Sequence, residues 1–187
     1  MHGLINSAIQ CYVVETHGLN TWEHLKLAAD CNVDFFISMD SYDDNITYSL
    51  VAAAPEVLGV SQGRFLESIG EFWVSYVGKG DYKEIFKMAG SDFISFIQNI
   101  NNMHSRVMTL MPDLVPPTFI CKNITDNSMR VDYYSKRDGL APMVVGLLRG
   151  LAVWFKLEMT IQWAIKKTEN INYDQFYIEF IPSVNNE

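Results

Sequence analysis

The sequence predicts an α+β fold, with a helical N-terminal part followed by a small antiparallel sheet that carries one packed helix. Three observations predict it. Apolar residues recur at helical spacing up to about residue 110. The segment Met111-Pro112-Asp113-Leu114-Val115-Pro116-Pro117 then ends the helical run, because each proline lacks a donor and restricts the residue before it. Beyond that break, short alternating runs separated by turn residues read as strands.

Each element has its own signal. Leu4, Ile5, Ala8, Ile9, Tyr12 and Val13 form one helical face that Gly18 stops. Thr21 is placed to cap a short helix from Trp22 to Ala29. Asp43-Asp44-Asn45 gives an acidic start to a helix over Ile46–Leu58, where Pro55 is expected to kink or divide it. Ser61 caps a helix through Phe65, Ile69, Phe72, Trp73 and Tyr76 that ends at Gly78-Lys79-Gly80, and a short helix spans Tyr82–Met88. Ser91 is expected to cap a long helix with Phe93, Ile94, Ile97, Ile100, Val107 and Met108 on one side. After the prolines, Thr118–Cys121 and Met129–Arg137 form a hairpin around the turn Asp126-Asn127-Ser128. Leu140–Leu157 reads as a helix, and Glu158–Lys166 and Phe176–Ile181 as strands.

A chain of 187 residues is close to one domain. Its net charge of −8 argues against phosphate backbones and anionic lipid as partners. No apolar run reaches the roughly 20 residues of a membrane helix. The start, Met1-His2-Gly3-Leu4, has no signal-peptide character and no myristoylation glycine. Cys11, Cys31 and Cys121 form no metal or redox spacing and read as apolar filling in a reduced, cytoplasmic setting. No phosphate-binding loop, dinucleotide fingerprint, zinc-protease helix or nucleophile elbow occurs.

Three features point to chemistry. His104 follows Ile100 by four residues and Ile97 by seven, so its imidazole shares their helical face. It is either a core histidine bonded to a carbonyl or an axial metal or haem ligand. Tyr133, Ser135 and Arg137 alternate on one strand face, continuing Met129 and Val131, so an apolar face turns polar at its end. That suits a ligand with an apolar body and an anionic tail, because a guanidinium pairs with carboxylates through two bonds. It equally suits a strand running out into water. Pro116-Pro117 is a rigid wedge or a plain linker.

With these residues in hand, the chain resembles the H-NOX family, haem domains that bind nitric oxide or oxygen and include the sensory domain of soluble guanylate cyclase. Tyr133-x-Ser135-x-Arg137 matches the family's propionate motif, with His104 some thirty residues earlier and a Pro-Pro pair between them. Met1-His2-Gly3-Leu4-Ile5, Gly70-Glu71-Phe72-Trp73 and the stretch from Gly139 to Gly150 match as well. The resemblance implies a haem b (iron protoporphyrin IX) held between a distal helical part, residues 1–60, and proximal helices and sheet, residues 61–187. It implies His104 as proximal iron ligand and Tyr133, Ser135 and Arg137 on the propionates. It further implies Pro117 against the macrocycle, and Ile5, Ile9, Trp73, Val77 and Met143 around the distal pocket.

Oxygen-binding members use a distal tyrosine, and the matching position here is Met143. Bound oxygen draws negative charge and needs a donor worth about 1–3 kcal/mol, whereas nitric oxide and carbon monoxide need it much less. Nitric oxide is therefore the expected ligand, with the Trp73 indole expected to pack against the haem edge. The resemblance implies a switch in which the bond to His104 weakens and its helix is released. The two parts leave no room for an output domain, so a histidine kinase or a cyclic-di-nucleotide enzyme in a bacterium is the expected partner in trans.

Two rivals use the same residues. A haem enzyme, a peroxidase or nitric oxide scavenger, would want a distal His–Arg pair, and His2, His17 and His24 look poorly placed for it. A non-haem module for fatty or bile-type acids would use the Arg137 row. Gly146-x-x-x-Gly150 lets its helix approach either the haem or the sheet, and Asp40, Asp43 and Asp44 read as a solvated, helix-capping loop.

Overall fold

In the computed structural model, residues 1–80 and 82–183 are described. The helices α1 (Gly3–His17), α2 (Leu19–Ala28) and α3 (Asp44–Leu58) come first. They are followed by α4 (Gln62–Lys79), the single turn-and-a-half α5 (Lys83–Lys87) and α6 (Phe93–Leu110). A sheet is then built from β1 (Thr118–Lys122), β2 (Ser128–Tyr134), β3 (Leu157–Ile165) and β4 (Asp174–Pro182), with α7 (Ala141–Trp154) between β2 and β3. The strands lie in the order β1-β2-β4-β3 and pair antiparallel throughout. Mixed helices and a four-stranded antiparallel sheet are the α+β architecture that the sequence predicts.

Local chemistry corrects several boundaries. α6 is capped by Asp92, not Ser91. The Asp92 carboxylate accepts from Ser95 N at 2.9 Å while the Ser95 hydroxyl returns to Asp92, a capping box. Gly18, with φ of 88°, starts α2, and the Thr21 hydroxyl donates to the His17 carbonyl instead of capping. Pro55 does not divide α3. It lies in the last turn, where only the bond to the Val51 carbonyl is lost, and Gly59 closes the helix in the left-handed region at φ 69°.

Two apolar clusters form. One joins Ile9, Val13, Trp22 and Leu50 to Phe65 and Ile69 on the first half of α4. The other joins Val74 and Val77, on its second half, to α6, α7 and the inner sheet face of Met129, Val131, Phe176 and Ile178. α4 thus belongs to both.

Glycine holds α4 against α7. A Cβ at Gly146 would stand 1.9 Å from the Glu67 carbonyl oxygen, and one at Gly70 would stand 2.1 Å from that of Met143. The Gly146–Gly150 face therefore receives α4, not the sheet and not a cofactor. Gly146→Val should force the helices apart and cost about 3 kcal/mol or more, the upper range for overpacking. A urea melt checks this.

Candidate functional site

A cavity of about 540 Å³ is bounded by residues of both clusters. That volume lies within the roughly 300–1,000 Å³ of cofactor sites. Its walls are mostly apolar. α1 supplies Leu4, Ile5 and Ile9, α4 supplies Trp73 and Val77, and α7 supplies Met143 and Leu147. His104, Pro117, Tyr133, Ser135 and Arg137 line the same cavity. All ten candidate residues read from the sequence therefore meet around one space.

His104 sits a turn beyond Ile97 and Ile100, where the apolar face of α6 thins; Met108, placed on that face by the sequence, is exposed. Burial lowers the imidazole's pKa, while the Pro117 carbonyl favours the protonated form. The net effect is a neutral ring at neutral pH, as a metal ligand must be. Nδ1 is shielded from water and has no well-aligned hydrogen bond. One turn back, Asn101 imitates a strand partner. Its Nδ2 donates to the Phe119 carbonyl at 2.6 Å, and its Oδ1 accepts from Phe119 N at 3.0 Å. This amide pins α6 to β1 just after the proline pair.

The polar end differs from the sequence expectation. β2 ends at Tyr134, so Ser135 and Arg137 are not a continued strand row. The Ser135 hydroxyl accepts from Arg137 N at 3.0 Å, and the chain bends to Gly139 at φ 76°. Lys167 holds the bend from outside, donating to the Ser135 carbonyl at 2.9 Å and to Asp138 at 2.6 Å. Tyr133 is buried, which raises its pKa and keeps it a donor, and its hydroxyl bonds Ser135.

Arg137 makes a fork with Asp44, Nε to Oδ2 at 2.8 Å and Nη2 to Oδ1 at 3.2 Å, and Nη1 reaches the Val115 carbonyl at 2.9 Å. Asp44 also receives the Met1 amino group. Burial works against its charge, but Arg137 and that amino group hold the carboxyl below its usual range. Asp44 is therefore not part of a solvated loop. Asp43 does the capping, accepting from Asn45 N at 2.9 Å. No sequence spacing could have paired Asp44 with Arg137, 93 residues away.

His2 is the other correction. It is not a frayed terminal residue: it is 6% exposed and lines the cavity. His17 and His24 are exposed. The cysteine thiols serve no site here. Burial pushes Cys121 up to about 11, far from the thiolate that a metal requires. Among the described residues, no group of three or more His, Cys, Asp and Glu could hold a metal ion.

The residues fit a cofactor. The neutral imidazole of His104 lines a cavity of aliphatic and aromatic groups, and an arginine and hydroxyls line it where acid groups could be bound. The fold and cavity suit a domain that holds a cofactor with an apolar body and acid groups, for which His104 and the Tyr133–Ser135–Arg137 cluster are the candidate ligands. The comparisons agree. The sequence model of the haem-NO-binding family matches residues 2–163, and the chain belongs to that family, the H-NOX domains. H-NOX domains bind haem and are sensors rather than catalysts.

Similar proteins include soluble guanylate cyclase gcy-31 of Caenorhabditis elegans, 26% identical over 163 residues, 87% of this chain and 23% of that protein. Soluble guanylate cyclase 89Db of Drosophila melanogaster is 24% identical over 161 residues, 86% of this chain and 24% of that protein. The chain thus spans about a quarter of the length of these curated relatives. Among solved structures, an H-NOX protein from S. oneidensis in the Fe(II)NO ligation state superposes with a TM-score of 0.86 at 21% identity, covering 97% of this chain and 99% of that one. The Fe(II) unliganded H-NOX protein from K. algicida gives 0.84 at 21% identity, with both chains covered fully. No described helix is long and apolar enough to cross a membrane.

Proposed function

We propose that this chain is a haem b-based gas sensor that responds to nitric oxide and passes the signal to a separate protein. The observation that carries the reading is the neutral imidazole of His104, on α6, lining the same apolar cavity as the Tyr133–Ser135–Arg137 cluster. Iron protoporphyrin, when bound, supplies a reversible site for nitric oxide and carbon monoxide.

The chain's own residues do the rest. His104 is the proximal ligand, and Asn101 keeps its helix seated on β1. Tyr133, Ser135 and Arg137 would hold the propionates, and Pro117 would press on the macrocycle. Ile5, Ile9, Trp73, Val77 and Met143 wall the distal side and exclude water. The faces of α1, α4 and α7 toward the cavity carry one polar hydrogen, the Trp73 indole N–H, and the Thr47 hydroxyl on α3 is committed to Asn6 at 2.6 Å. With Met143 in place of a distal tyrosine and the Trp73 indole packed on the cofactor's edge, bound oxygen, which needs a donor, is disfavoured by about one to two decades in affinity.

A weakened hold of His104 on the cofactor would be the switch. Asp44 lies in the 1–60 part and Arg137 in the 61–187 part, so their ion pair ties the two across the cavity rim. A change at His104 can therefore shift one part against the other, a two-state element of the kind that signalling domains use. A histidine kinase or a cyclic-di-nucleotide enzyme in trans, in a bacterial cytoplasm, is the receiver that this reading favours.

Absorption spectra of the ferrous protein test the choice of gas. Nitric oxide and carbon monoxide should each shift the spectrum, while air should oxidise it without a stable oxygenated form. A lasting oxygenated spectrum would contradict the reading.

A further inference from the structure

The cavity holds a second imidazole, and its placement is as constrained as that of His104. His2 is 6% exposed, its Nδ1 is shielded from water, and no group among the described residues bonds that nitrogen. Its backbone is clamped by a bridge to Ser41, by Gly3 N to the Asp40 carbonyl at 2.7 Å and by Tyr42 N to the Met1 carbonyl at 2.8 Å. Gly3 has no room for a side chain, since a Cβ there would stand 2.0 Å from the Ile37 carbonyl oxygen. These contacts fix the backbone from which the ring projects.

The chain on either side of it is tied to the polar residues of the cavity. The adjacent Met1 amino group touches Asp44, and Asp44 is forked to Arg137. Burial and the Met1 amino group lower the pKa of His2, against a smaller upward pull from Asp113 and Asp40. The ring is therefore neutral at neutral pH, with one nitrogen a donor and the other an acceptor. A buried imidazole nitrogen left without a partner is costly, and in a cavity that Tyr133, Ser135 and Arg137 also line the group that removes this cost is a carboxylate arriving with the ligand.

We propose that His2 is a second propionate anchor, reaching the acid arms of the cofactor from the N-terminal part while Arg137 reaches them from the sheet side. The proposal rests on the haem reading above. It adds that the cofactor's carboxylates are held from both parts of the fold, so loading the cavity fastens the N-terminal segment to the sheet side.

The test compares wild type with His2→Phe, which keeps a ring without N–H groups, and His2→Gln, which restores a donor. Each full-length protein is loaded either with iron protoporphyrin IX or with its dimethyl ester, whose acid arms are blocked. Transfer to excess apomyoglobin gives the release rate, and resonance Raman reports the propionate bending band. His2→Phe should release the diacid about tenfold faster or more, and His2→Gln should recover most of the loss. The three proteins should release the ester at equal rates, and the propionate band should shift in His2→Phe alone. The melting temperature of the haem-free variants should stay at or above that of wild type.

Equal release of the diacid would overturn the proposal. So would a defect that persists with the ester, which would mark a packing role. An unliganded ferrous spectrum that is six-coordinate in wild type and five-coordinate in His2→Phe would overturn it too, by placing the imidazole on iron. A chain that takes up neither porphyrin would overturn the haem reading itself, an outcome separate from all of these.

Discussion

His104→Gly should leave the signalling partner in its nitric-oxide state with no gas present. The substitution removes the tether but little of the helix. Glycine costs a helix interior about 1 kcal/mol relative to alanine, and α6 keeps its amide clamp from Asn101 to β1. Free imidazole can then fill the vacated axial position without pulling on α6, so the cofactor is retained while the mechanical link is cut. The partner's activity, read as kinase autophosphorylation or cyclic-di-nucleotide turnover, should match that of wild type under nitric oxide and should not respond further to gas. A variant that affects the partner as gas-free wild type does would contradict the switch.

Arg137→Ala should have the next largest effect, and on two properties together. The guanidinium forks to Asp44 and reaches the Val115 carbonyl, so its loss unties α3 from the turn after β2 and leaves the Asp44 carboxylate with only the Met1 amino group. If the same guanidinium grips a propionate, haem should also leave faster. Each hydrogen bond to a charged group contributes about 1.5–3 kcal/mol, which is roughly one to two decades in release rate. Arg137→Lys should restore little of it, because an ammonium keeps the charge but not the planar fork. Haem transfer to apomyoglobin and urea melts measure the two effects separately. Release at the wild-type rate would remove Arg137 from the cofactor site.

Most of this architecture is legible from local physics. Helical spacing marks α1, α3, α4 and α6, the prolines mark the change to sheet, and alternation marks β2 to β4, because those signals live within a few residues of one another. His104 can be found for the same reason, since it lies on a short helical run, whereas the alternation that marks Tyr133 ends at Tyr134 and only the local spacing marks Ser135 and Arg137. What escapes is whatever depends on contacts far apart in the chain. The Asp44–Arg137 fork, the Lys167 brace on the Ser135 bend and the burial of His2 all join segments that no periodicity relates. Some errors were of degree. Gly146 and Gly150 do mark a close approach, but the surface approached is the backbone of α4 at Glu67 and Glu71. Ser91 and Asp92 are both good caps, and the reciprocal bonds with Ser95 decide for Asp92. Asn101 could have been noticed as a polar residue one turn before His104 beside the apolar face, a position that calls for a partner.

The account depends on iron protoporphyrin held through the imidazole of His104. The direct measurement is the visible absorption of the ferrous protein purified from haem-replete cells, beside His104→Gly prepared with and without imidazole. Wild type should carry a strong Soret band near one haem per chain, and the variant should lose it unless imidazole is present. A colourless wild-type protein, or a variant that keeps an unchanged Soret band with no imidazole supplied, would contradict the account.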